Sequence, residues 1–144
     1  MKSFLPKKIE INKRDWVVVD AKGKSLGRIA VVISKILRGK NRVDYSPQVD
    51  NGSFVVVLNA ADVKLTGKKE EKKIYQTYSG YRDGLKRTKA ATVRERHPER
   101  MISLAVWGMI PKNRTGRKLM RRLKVFAGSA HPYSAQKPQK ADLK

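Results

Sequence analysis

Two short, continuous apolar runs on either side of one amphipathic segment constrain this chain more than any other feature. Trp16-Val17-Val18-Val19 and Phe54-Val55-Val56-Val57-Leu58 offer no polar residue to water, so each reads as a strand buried in a sheet. Between them, Leu26, Ile29, Ala30, Ile33, Ile36 and Leu37 recur at the spacing of a helix with one buried stripe, and Arg28, Lys35 and Arg38 fall off that stripe. Ser25 stands where a helix N-cap belongs and Gly39 where a glycine ends a helix. Strand, helix and buried strand in succession imply a parallel pair joined by a right-handed crossover, hence an α/β core. Asp20 to Ser25, with Gly23, reads as a turn, and Asn41 to Ser53, with Pro47, Asn51 and Gly52, as a loop.

The remaining segments attach to that core. Residues 1–14 are a basic, extended lead, and Val63-Lys64-Leu65 adds a short strand. Residues 66–89, rich in Gly, Lys and Tyr, form a projecting hairpin or loop. Thr88 to Arg96 is a short helix, and Pro98 suits the first turn of another running to about Trp107, with Ile102, Ala105, Val106 and Met109 inward. A third helical stretch spans Thr115 to Leu123, with Leu119, Met120 and Leu123 as its apolar side, and Lys124-Val125-Phe126 is a final strand. The tail from Gly128 reads as wrapping a partner rather than packing a core. No internal repeat is visible, and the length suits one domain over 1–144, with its lead (1–14) and its tail (128–144).

Charge decides the partner class. The 34 Lys+Arg against 12 Asp+Glu leave a net +22, while a 40% hydrophobic content still supports a core. Such an excess repels itself unless a polyanion neutralises it: nucleic acid, an anionic membrane or an acidic protein. No apolar run approaches the ~20 residues of a membrane span, and the start lacks the apolar stretch of a signal peptide. The cytosol is the default location, although a mature organellar protein without its transit peptide has the same appearance. Absence of cysteine excludes disulfides, thiolate zinc sites and a cysteine nucleophile.

The cations fall in three groups. Lys112, Arg114, Arg117, Lys118, Arg121, Arg122 and Lys124 lie in one segment beside Asn113, and no acidic residue occurs from Arg100 to Ala141. On a continuous helix Arg117, Arg121 and Lys124 would share a face. Lys22, Lys24, Arg38, Lys40 and Arg42 occupy loops or loop edges, with Arg28 on the helix between. Lys68, Lys69, Lys72, Lys73, Arg82, Lys86 and Arg87 form the third group. Lone lysines are commonly a solvated face, but seven cations without a carboxylate between them call for an anion. No helix-turn-helix, zinc-finger or basic-zipper pattern appears, and cations spread over several segments suit a folded RNA read by shape. Tyr75, Tyr78, Tyr81 and Tyr133 interleave with the cations, where core or hairpin packing is at least as good a reading as base stacking.

Reaction chemistry is not specified. Gly23-Lys24-Ser25 matches the end of a phosphate-binding loop, but that motif needs a glycine where Val18 stands. The same helix start is still expected to offer its free amides to a phosphate. His97 and His131 each precede proline and have no partner at metal or triad spacing, so loop structure or an RNA contact is expected of both. Asp20, Asp44 and Asp50 are isolated and read as caps, turns or ion pairs. No enzyme activity, cofactor or metal is expected.

One stretch carries a family pattern: Ala105-Val106-Trp107-Gly108-Met109-Ile110-Pro111-Lys112-Asn113-Arg114-Thr115-Gly116-Arg117. It resembles the signature of the family of the thirteenth protein of the large ribosomal subunit. Pro98-Glu99-Arg100, Leu123-Lys124-Val125-Phe126-Ala127-Gly128, Arg14-Asp15-Trp16, Asp20-Ala21, Leu26-Gly27-Arg28, Leu37-Arg38-Gly39-Lys40, Val49-Asp50, Leu58-Asn59-Ala60, Thr66-Gly67 and the ending His131-Pro132-Tyr133-Ser134-Ala135-Gln136 resemble it in the same order. The family usually carries basic or histidine residues around Gln76-Thr77, and often a histidine where Tyr133 stands. The resemblance implies a three-layer α/β/α domain with a four-stranded, mostly parallel sheet. It also implies a structural role in the large subunit: binding its ribosomal RNA early in assembly, beside other ribosomal proteins, with no membrane and no homo-oligomer. A regulatory binder acting off the ribosome and a small nucleotide-using enzyme built on Gly23-Lys24-Ser25 are the alternatives. The sequence offers the first no positive evidence and the second only that half-match.

Overall fold

The computed structural model describes residues 5–141; the first four residues of the lead and the last three of the tail lie outside the described residues. Strands β1 (Trp16–Asp20) and β2 (Phe54–Leu58) form on the two apolar runs and pair in parallel, from Trp16 opposite Phe54 to Asp20 opposite Leu58. Helix α1 (Leu26–Arg38) makes the crossover and buries Leu26, Ile29, Ala30, Ile33, Ile36 and Leu37, the stripe its periodicity marks. Gly39 ends it in the left-handed conformation (φ 74°), with its N–H and that of Lys40 closing on the Ile36 and Lys35 carbonyls at 3.0 and 2.9 Å. Ser25 holds the N-cap position, but its side chain makes no capping bond. The backbone of Ser25 instead forms an isolated bridge to Lys64, which is all that forms of the strand expected at Val63-Lys64-Leu65.

A four-residue helix, α2 (Lys69–Lys72), leads into the expected hairpin, whose antiparallel strands are β3 (Ile74–Tyr78) and β4 (Leu85–Lys89). Helix α3 (Ala90–Arg96) starts two residues later than expected, because Thr88 and Lys89 are held in the hairpin opposite Tyr75 and Ile74. Helix α4 (Pro98–Met109) has Pro98 in its first turn. Its inner side is Met101, Ile102 and Val106, whereas Ala105 is half-buried and Met109 is 39% exposed, so the inward set is rotated from the expected one. Helix α5 (Arg114–Arg121) stops short of Leu123, because Leu123 already belongs to strand β5 (Leu123–Val125).

The main sheet runs β5-β2-β1-β6, with every pairing parallel. Its last strand, β6 (Gln139–Lys140), corrects the expectation for the tail. Gln139 and Lys140 pair with Val17 and Val18, the Ala141 N–H donates to the Val18 carbonyl at 2.9 Å, and Ala141 packs against the core. A two-residue polar strand has no periodicity to betray it; the edge of β1 recruits it through backbone bonds alone.

Alternation along the strands sends Val17, Val19, Val55, Val57, Leu123 and Val125 into the core with Ile33 of α1 and Ile102 and Val106 of α4. On the other face Trp16 stacks on Phe54 with centroids 4.3 Å apart and planes 6° apart. Tyr133 tilts over Trp16 at 5.0 Å and Phe126 at 6.1 Å, just before a 3-10 turn at Ser134–Gln136. The sheet is thus flanked by helical elements in the expected α/β/α order, with α1 and α4 as the heavier layer. Among the described residues no helix is long and apolar enough to cross a membrane.

Candidate nucleic-acid interface

Helix α5 is the cationic segment, and packing holds it in place. Asn113 caps its start by accepting the Gly116 N–H on Oδ1 at 2.8 Å. Gly116 sits so close to the preceding chain that a Cβ there would lie 1.9 Å from the Pro111 carbonyl oxygen. Leu119 is 3% exposed and anchors the inner side. Arg114, Arg117, Lys118 and Arg121 all remain exposed. With no carboxylate in the helix, its like charges repel one another. The buried anchors hold them together nonetheless, leaving a rigid row of cations that an anion would relieve.

Arg122 does not belong to that row. It is 6% exposed, and its guanidinium contacts Asp50 Oδ1 at 2.5 Å while donating to the carbonyls of Gly52 at 2.7 Å and Leu37 at 3.2 Å. Arg14, 7% exposed, reaches the other Asp50 oxygen at 3.4 Å and donates to the Asp50 carbonyl at 2.8 Å. Two buried arginines therefore share one carboxylate, and backbone carbonyls take up the remaining donors, although the Nε–H of each arginine is buried without a partner. The cluster ties together the segments that lead into β1, β2 and β5. Arg122, expected on the RNA-binding surface, is placed by the structure among internal partners instead. The sequence carries only a weak signal of this: Arg122, the C-cap of α5, lies three residues after the buried Leu119, at the edge of the inner side. Lys124 leaves the row too, being half-buried on β5, so Arg117 and Arg121 alone of the expected trio share the helix.

Other expected contacts are partly committed. Lys112 Nζ donates to the Trp107 and Ile110 carbonyls and lies 4.2 Å from the Trp107 ring centroid, closing the C-terminal end of α4. Arg42 pairs with Asp15 at 3.1 Å and Asp44 at 3.0 Å, and Arg38 donates to the Tyr45 hydroxyl at 3.3 Å. His131 Nδ1 accepts the Tyr133 N–H at 3.1 Å, which makes it a turn-former in the tail. Lys22, Lys24, Arg28, Lys40, Lys68, Lys69, Lys72, Arg82, Lys86 and Arg87 are exposed.

The Gly23-Lys24-Ser25 turn is shaped by its neighbours. Asp20 accepts the Lys22 N–H at 3.0 Å and an Asn59 amide N–H at 2.8 Å, and these bonds, the Lys22 one foremost, hold its carboxyl below the usual range. Gly23 is left-handed (φ 68°). The Leu26 N–H, one of the amides expected to be free for a phosphate, donates instead to the Lys64 carbonyl at 3.0 Å. Among the described residues no three His, Asp or Glu side chains gather as a metal site.

What the fold and surface define is a small α/β protein built to present cations. The family model for ribosomal protein L13 matches residues 14–132. The chain belongs to the ribosomal protein L13 family, a family of structural, non-catalytic proteins, and the resemblance read from its motifs is confirmed. It is 56% identical over 143 residues to the large ribosomal subunit protein uL13 of Dictyoglomus thermophilum, covering 99% of this chain and 100% of that one. It is 50% identical to the uL13 of Thermus thermophilus over 143 residues, with the same coverage of both chains, and 53% to that of Deinococcus radiodurans over 139 residues, covering 96% of this chain and 78% of that one.

Proposed function

We propose that this chain is a structural constituent of the cytoplasmic large ribosomal subunit. It acts as one unit that binds large-subunit ribosomal RNA and supports its folding early in assembly, beside neighbouring ribosomal proteins. The observation that carries the reading is α5: Arg114, Arg117, Lys118 and Arg121 exposed on a helix without a carboxylate and held rigid from beneath. Arginine forks on such a surface take two phosphate oxygens each, and lysines add attraction over a longer range. The exposed cations of the β1–α1 turn (Lys22, Lys24), of α1 and its exit (Arg28, Lys40), and of α2 and the hairpin (Lys68, Lys69, Lys72, Arg82, Lys86, Arg87) extend the contact to further RNA segments. The fold supplies the placement, and the RNA neutralises the self-repulsion of a +22 chain.

Co-sedimentation tests this. The chain is expected in the large-subunit fraction of a cell extract even after a moderate salt wash; recovery only in the free protein pool would sink the reading.

A further inference from the structure

A hollow of about 510 Å³ lies between the start of α1, the 64–73 segment and α4. Leu26, Val31, Leu65 and Met109 give it an apolar lining, of which Val31 and Met109 remain 40% and 39% exposed. Arg28, Lys64, Lys69 and Lys73 stand around it, and no carboxylate lines it. A second hollow, about 610 Å³, continues past Ser25, Arg28 and Thr66, which both share, and adds Lys24. The ion pairs found among the described residues involve none of these five cations. Lys73 instead rests 5.0 Å from the Tyr75 ring centroid.

Resting on the RNA-binding reading above, we infer that this two-part groove holds an unpaired, splayed-out stretch of RNA, whereas the exposed cations of α5 meet paired RNA backbone. Three features favour that occupant. Each hollow falls in the size range of small-ligand sites, roughly 300–1,000 Å³, which admits a nucleotide but not a double helix. The combination of aliphatic lining and surrounding cations suits a base lying against aliphatic side chains with its phosphates on the cations, a basic track for one strand without an aromatic stacking platform. A peptide strand has no backbone edge to add to at Lys64, because its N–H already donates to the Lys24 carbonyl at 2.9 Å and its carbonyl already accepts from Leu26.

The test compares two probes on the full chain: a short unpaired RNA oligonucleotide and a blunt RNA duplex, both at fixed salt. The groove variant combines Lys64→Ala with Val31→Asp, both at exposed positions, and its thermal melt checks the fold. The unpaired oligonucleotide should bind the variant about tenfold more weakly, the loss of one apolar base contact and one phosphate contact, while the duplex stays within about twofold. Equal weakening of both probes, or of neither, overturns the groove assignment and leaves the RNA-binding reading standing. If the unaltered chain binds neither probe, both readings fall. If an acidic peptide displaces the oligonucleotide from the groove at lower concentration than unlabelled oligonucleotide does, the groove is a protein-docking site and the assignment is wrong.

Discussion

Arg122 meets Asp50 at 2.5 Å, with their side chains 8% and 19% exposed, where the chain enters β5 from the cationic helix. That contact separates the arginines that face outward from the one that holds the helix in place. An ion pair at this depth is costly to break, because its partner is left charged and buried. Asp50→Asn should therefore destabilise the protein by about 3–5 kcal/mol, and Arg122→Ala by a similar amount. Urea unfolding at neutral pH measures both. A loss below about 1 kcal/mol would mean that the cluster is solvated in solution.

The same distinction governs binding. Arg117→Ala with Arg121→Ala removes two exposed cations and should leave the fold intact. The slope of log affinity against log salt should flatten by about one for each phosphate that is no longer neutralised. An unchanged slope would mean that the phosphates are met elsewhere. Adding Arg122→Ala to the pair would confound the result by loosening the core.

Gly116 tests the seating of α5. Gly116→Ala puts a methyl group against the Pro111 carbonyl, with 1.9 Å between Cβ and oxygen unless the helix moves. The expected cost is about 1–3 kcal/mol, with weaker RNA binding because the row of cations shifts. Calorimetry and filter binding read the two effects. Full affinity with full stability would show that the helix start has room to relax.

Asp20 gives a pH prediction. Its folded pKa is lowered, first by the Lys22 N–H and then by Asn59. A depressed carboxylate contributes stability that is complete above its ordinary value of 3.8 and is lost as pH falls through the lower folded value. Asp20→Asn should thus lower the urea midpoint at neutral pH, and the gap between the two proteins should close in strong acid. A gap independent of pH would assign the effect to shape rather than charge.

The residues differ in how much of this the chain announces. The βαβ unit was legible because Val55-Val56-Val57 and the Leu26–Leu37 stripe bury apolar area at their own periods, which burial alone dictates. α5 was legible as a cluster of charge. The strand at Gln139–Lys140 was not, because it is chosen by an open backbone edge on β1 rather than by its side chains. Arg14 and Arg122 were not recognised as an internal pair, because composition counts a cation without knowing which side of the chain it faces. The inward place of Met101 is not legible, because the face of α4 that turns inward is set by its packing against α1, whereas Pro98 marks only where the helix starts. The groove beside Lys64 has no sequence signature, since its walls come from segments far apart in the chain.

The central claim is that the cationic surface is met by large-subunit ribosomal RNA. Equilibrium binding of the purified chain to that RNA, followed across salt concentration, tests it most directly. With about 6–10 phosphate contacts, affinity should fall roughly 10³–10⁵-fold between 50 and 200 mM salt, and at each salt it should exceed affinity for an unrelated structured RNA. An affinity indifferent to salt, or equal for both RNAs, would contradict it.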